Sequence, residues 1–130
     1  MPYQIVYDST NRILRARFEG RVTDDELTEV HRPGQALAAR IDSHAGIADF
    51  SDVTTVAFSP KTISKLATST PIRQDPSRPV VFVAPTPDAF MMAWMFELRG
   101  AETRPNLHVV RTLEEAYEVL DVREPQFEPI

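Results

Sequence analysis

"PVVFVAPTPDAFMMAWMFELRG", residues 79–100, decides how the rest of the chain is read. Pro79 to Ala84 form an uninterrupted apolar, β-branched run, the pattern of a central strand covered on both faces. Thr86 follows as a helix N-cap, and Pro87 stands at the first helical position, where its missing N–H has no partner to lose. A strand that runs directly into a capped helix is the unit from which parallel sheets are built.

The same grammar recurs on either side. Upstream, "SPKTISKLATS" opens a helix with Ser59 as cap and Pro60 behind it, and Ile63, Leu66 and Ala67 form its apolar side. "AGIADFSDV" (Ala45 to Val53) reads as a short buried strand that ends in a loop. "TDDELTEV" starts another helix, with Thr23 and Glu26 as a capping box and "RPG" (Arg32 to Gly34) predicting a kink or short break. "YQIVY" (Tyr3 to Tyr7), the turn cluster "DSTNR" and the alternating "ILRARFEGRV" predict an antiparallel hairpin. Downstream, "NLHVV" (Asn106 to Val110) is a short strand, and Thr112 with Glu115 caps the helix "TLEEAYEVL". "TPIRQDPSR" (Thr70 to Arg78) is a proline-broken connection. The expected order is β-β-α-β-α-β-α-β-α, an α/β fold with a mixed sheet of about five strands and helices packed on it. One domain should span residues 1–122, with 123–130 as a C-terminal tail.

Composition narrows the functional classes. A chain of 130 residues at 42% hydrophobic and 25% charged can bury a core without disulfides. The formal net charge of −5 speaks against non-specific nucleic-acid binding, which needs a concentrated basic face. The absence of cysteine removes thiolate chemistry and cysteine metal sites. No signal-peptide pattern and no apolar run of membrane-spanning length are visible, and a cytoplasmic protein is expected.

The helix in the opening stretch gathers Phe90, Met91, Met92, Trp94, Met95 and Phe96 within seven residues. At about 100° per residue, Phe90, Trp94, Leu98, Met91 and Met95 share one broad arc. Ala89, Met92, Ala93 and Phe96 lie on a second sector. A helix apolar on two sectors is usually buried twice. The larger arc is expected against the sheet. Met92, Phe96, Ala89 and Ala93 are then left for a neighbouring helix or the C-terminal tail, or for a second copy of the chain or an apolar ligand, partners that methionine suits through its adaptable shape.

Catalytic signatures are missing. The chain contains no nucleophile elbow and no phosphate-cradling glycine motif. His31, His44 and His108 are not at metal-helix spacing, so no metal site and no cofactor are expected. Asp24, Asp25 and Glu26 suit a helix N-terminus. Asp49 and Asp52 flank the strand-to-loop turn, and with Ser59 they could form a polar site at the carboxyl end of a parallel strand, or serve only as turn and cap residues.

The phrases "YDSTNRILRARFEGRVTDDEL", "IADFSDVTTVAFS", "PVVFVAPTPDAFMMAWMFE" and "HVVRTLEEAYEVL", in this order over about residues 3–122, resemble the STAS-like domains. The nearest branch is the SpoIIAA-like bacterial group, related in fold to CRAL-TRIO lipid-binding domains. The anti-sigma-factor antagonists of that superfamily carry an Asp-Ser pair, whose serine is a kinase target, where the third strand's loop enters the next helix. Aligning Asp49 and Val53 on that pattern puts Ala57 and Phe58 at the pair and Ser59 one position later, so the chain departs at the switch residue. The resemblance implies a non-enzymatic binding or regulatory module working through protein contacts, with a homodimer expected. The alternative it leaves open is a carrier or sensor of a small apolar ligand, such as a lipid, held between helices and sheet.

Overall fold

The computed structural model describes residues 3–69 and 77–130. The expectation for the connection 70–78 falls largely outside them. The elements are β1 (Tyr3–Asp8), β2 (Ile13–Thr23), α1 (Asp24–Glu29), α2 (His31–Arg40), β3 (Ala45–Ala57), α3 (Pro60–Ala67), β4 (Val80–Val83), α4 (Pro87–Arg99), β5 (Leu107–Val110), α5 (Leu113–Leu120) and β6 (Glu128–Pro129). The sheet has the order β5-β4-β3-β2-β1-β6. β1 and β2 form the antiparallel hairpin, β2 to β5 run parallel, and β6 returns antiparallel to β1. The α/β fold read from the sequence is therefore present, with one strand more than the expected five.

The caps explain where the helices begin. Thr23 accepts from the Glu26 N–H while the Glu26 carboxylate accepts from the Thr23 N–H, the reciprocal capping box. Ser59, Thr86 and Thr112 each accept from the N–H three residues on, and a proline follows Ser59 and Thr86. The break between α1 and α2 falls at Val30, so that Pro33 sits in the first turn of α2, where no intrahelical N–H is needed.

β4 alternates across the sheet as a doubly covered strand should. Val81 and Val83 are buried with Ile13, Ala45, Ile47 and Ala116 beneath α5. Phe82 points the other way, into a cluster that includes Phe18, Phe50, Phe58 and the inner side of α4. Phenylalanines relay across this face: Phe18 stacks on Phe50 at 4.8 Å, Phe50 meets Phe58 and Phe82 at 6.3 Å, and Phe82 meets Phe96 at 5.0 Å.

Three expectations change. β3 does not end at Val53 but continues to Ala57, because β2 stays paired with it through register shifts on both sides of Gly20. Gly20 takes φ +68°, a backbone that other residues adopt only with strain. The closing residues, expected as a tail, add β6 opposite Val6 and Tyr7, and Phe127 packs on the α5 side with the Arg15 guanidinium 5.1 Å from its ring centre.

The third change inverts α4. Ala89 and Ala93 are buried, and Met92 and Phe96 pack with them into the phenylalanine cluster. Trp94, Leu98 and Met91 are 52%, 57% and 62% exposed. The physical reason is close approach. Two alanines one turn apart let the α4 backbone settle onto a sheet whose own Phe50 and Phe82 already supply the bulk, and an indole on that side would hold the helix off.

Trp94→Ala is accordingly expected to change stability by no more than about 0.5 kcal/mol, whereas Phe96→Ala should cost about 3 kcal/mol. Urea unfolding of the two variants checks the order. A larger loss at Trp94 would restore the opposite orientation.

Candidate functional site

Asp49, Asp52 and Ser59 do not converge. All of Asp49, Asp52 and the residues between them lie inside β3, not at a turn. Asp49 is only 1% exposed and faces the α5 side. Its Oδ2 accepts from Arg15 Nε at 3.0 Å and from Arg15 Nη2, and its Oδ1 accepts from the Ser51 N–H at 2.9 Å and the Ser51 hydroxyl at 2.5 Å. Asp52 is exposed and accepts from Arg17 Nη2 at 3.0 Å. The two aspartates thus stitch β3 to β2. The pairing was hidden because Arg15 and Arg17 read as the solvent side of an alternating strand, whereas Phe127 and Tyr117 cover that side.

Tyr117 stands over this buried charge. Burial pushes its hydroxyl above the usual tyrosine value; Arg15 pulls it back, and Asp49 and Asp8 push it up again. Asp8, also buried, accepts from the Thr10 and Asn11 N–H groups and from the Asn11 side chain, closing the β1–β2 turn.

Ser59 is at the opposite end of β3, on the N-terminus of α3. Besides accepting from the Thr62 N–H at 3.3 Å, it donates its own N–H to Asp24 Oδ1 at 2.7 Å and its hydroxyl to the same carboxylate at 3.3 Å. Asp24 opens α1, so this contact ties the starts of two helices together. The Ser59 N–H holds the Asp24 carboxyl below its usual value, with the Thr62 hydroxyl adding to the effect. Phe58, which the alignment placed at the serine of the switch pair, is buried in the core. Among the described residues, no group of three or more His, Asp or Glu is arranged to hold a metal ion.

A separate apolar feature lies on the other face of the sheet. An apolar cavity of about 210 Å³ lies between the sheet and the helices α1 to α4. Small side chains make the room: Ala16 and Ala48 on the strands, Gly34 on α2, Ala89 and Ala93 on α4. α2 contributes to the wall through Gly34 and Leu37 yet buries none of its residues. Met92 and Phe96 line the cavity with Ala89 and Ala93, so the four residues expected at an interface or an apolar ligand lie together on its α4 wall. Among the described residues its polar lining is His31, Arg78, Thr103, Arg104 and Asn106. Apolar walls left unpacked in this way forgo the contacts that a filled core would make.

A second apolar surface is exposed. Met91, Trp94 and Leu98, with Phe90 and Met95 beside them, form a shallow hollow on the outer side of α4. Arg99 and Arg111 edge it, and the Arg111 guanidinium lies 4.2 Å from the centre of the Phe90 ring. No helix of the described residues is long and apolar enough to cross a membrane.

Ser59→Asp is expected to be more destabilising than Ser59→Ala, whose lost cap costs about 1 kcal/mol. The sequence alone favours a carboxylate at this cap, but here it would face the Asp24 carboxylate. Asp24→Asn should relieve the Ser59→Asp variant, and thermal melts at neutral pH show whether it does. Because the folded state lowers the Asp24 value, the stability it confers is present above the ordinary value of 3.8 and is lost as pH falls below it.

No protein-family model and no curated protein matches the chain. Solved structures do. The unphosphorylated form of the anti-sigma factor antagonist SpoIIAA superposes with a TM-score of 0.63 at 11% identity, over 94% of this chain and 99% of that one. The phosphorylated form of the Bacillus cell fate determinant SpoIIAA gives a TM-score of 0.51 at 15% identity, over 89% and 96%. The strand order, the helix caps and this near-complete overlap together give the chain the STAS-like α/β fold of SpoIIAA.

Proposed function

We propose that the chain is a non-enzymatic regulatory module of the STAS type that works through protein contacts, two copies meeting through the outer side of α4. The observation that carries this reading is the exposure of Met91, Trp94 and Leu98 on one helix face. Contiguous apolar patches of this kind mark binding surfaces, and aromatic and methionine side chains are enriched at them. The fold agrees, since the similar solved protein is by its name an antagonist of another protein. The charges on α4 support self-association. Asp88 lies in the first turn of α4 and Arg99 in the last. An antiparallel pairing about a two-fold axis sets the acidic end of each helix against the basic end of the other and brings the Met91–Trp94–Leu98 faces together.

Sedimentation velocity of the wild type and of the Met91→Glu, Trp94→Glu double variant tests the proposal. The wild type should run as a dimer, and the variant as a folded monomer. A monomeric wild type would refute self-association.

The cavity favours a second reading, the binding of a small apolar ligand between helices and sheet. Its walls are apolar, and an occupant would recover the cost of the void. Ala93→Leu should fill part of this space. Native mass spectrometry of the purified protein is expected to show a bound apolar molecule in the wild type and none in this variant, whose folding a thermal melt checks.

A further inference from the structure

The cavity's charged lining has one sign. The chain carries 19 acidic and 14 basic side chains, yet Arg78 and Arg104 line the cavity with no aspartate or glutamate among the described residues. Arg78 already has a carboxylate beside it, Asp42 at 2.7 Å, on the outer side of the fold. Arg104 differs. Its Nη1 donates to the Ala67 carbonyl at 2.6 Å and to the Thr103 hydroxyl at 3.1 Å. Its Nη2 donates to the Leu66 and Ser69 carbonyls at 3.2 and 3.3 Å, and its Cζ lies 4.8 Å from the centre of the Phe96 ring. Every one of these partners is neutral, and no ion pair to Arg104 occurs among the described residues. The carbonyls at the end of α3 offer partial charges only. A half-buried guanidinium at the edge of an apolar space is therefore short of an anion, and burial already lowers its hold on the proton.

Resting on the apolar-ligand reading above, we infer that the cavity takes an amphiphile with a singly charged anionic head, its apolar chain among Ala16, Ala48, Ala93 and Phe96 and its head beside Arg104. Phe96 joins both parts: it lines the cavity, and the guanidinium lies against its ring. A cationic head would meet the guanidinium groups of Arg78 and Arg104 and is disfavoured; a neutral head gains no charge interaction. A free carboxylic acid and a lipid with an acidic head share this chemistry.

Isothermal titration with decanoate, decan-1-ol and decyltrimethylammonium tests the inference on the wild-type protein. Decanoate should bind roughly tenfold more tightly than the alcohol, the size of one charge-assisted contact, and the ammonium compound more weakly than either. Arg104→Gln should bring decanoate to the affinity of the alcohol, and circular dichroism shows whether this variant is folded. Ala93→Leu should weaken both. If the alcohol binds as tightly as decanoate, the head-group assignment falls while the apolar cavity stands as a site. If neither binds, the cavity reading falls with it. Binding that survives Ala93→Leu undiminished places the ligand elsewhere and overturns the inference. If Arg104→Gln does not fold, the ratio between decanoate and alcohol on the wild type decides alone. Vesicles of neutral and of acidic lipid, incubated with the protein and then separated, distinguish a lipid source from a free acid by which of them loads the cavity.

Discussion

The buried pair between Arg15 and Asp49 is the constraint on which the rest of the molecule depends. It joins the two longest strands, with Asp49 buried and Arg15 only 13% exposed. Removing one member would strand the other charge in the interior, a loss of about 3–5 kcal/mol. The pair also sets register. Side chains alternate along a strand, so a slip of one residue between β2 and β3 would send Arg15 to the phenylalanine face and Phe18 to the polar one. With β2 and β3 fixed, Phe18 and Phe50 must stack, β4 has one edge on which to pair, and α4 one surface on which to lie.

Two unlike faces follow. Beneath α5 the sheet carries packed aliphatic side chains together with the buried charges, sealed by Tyr117 and Phe127. Beneath α1 to α4 it carries aromatic rings and alanines, with space left over. The first face holds the strands in place. The second is where a binding event could be accommodated without disturbing them, since α2 buries no residue of its own and Ser59 and Asp24 link the starts of α1 and α3.

Much of the fold was legible because its signals are local. Thr23, Ser59, Thr86 and Thr112 announce their helices by chemistry confined to one turn, and "PVVFVA" announces a doubly covered strand by composition. What was hidden depended on partners distant in sequence. Arg15 looks like a solvent residue until Asp49, 34 positions later, and Phe127 close over it. The closing residues look like a tail because "DVREPQFEPI" has two prolines and no periodicity, and only the free edge of β1 turns two of them into a strand. On α4 the wheel separated two apolar sectors correctly, but volume misled. Tryptophan is the larger apolar group, whereas close packing of a helix on a ring-lined sheet selects alanine. Arg104 gave no signal at all, since its role rests on the end of α3 and the ring of Phe96.

The uneven filling of the two faces also makes the molecule mechanically lopsided. Pressure favours whichever state occupies less volume, and voids vanish when a chain unfolds. The α5 side is closed by packed side chains, while the α1–α4 side holds the cavity. Compression should therefore work on the molecule from one side, loosening the helical cover above the phenylalanines while the strands and α5 still hold, and an occupant that removes the void would make the domain stiffer as well as more stable.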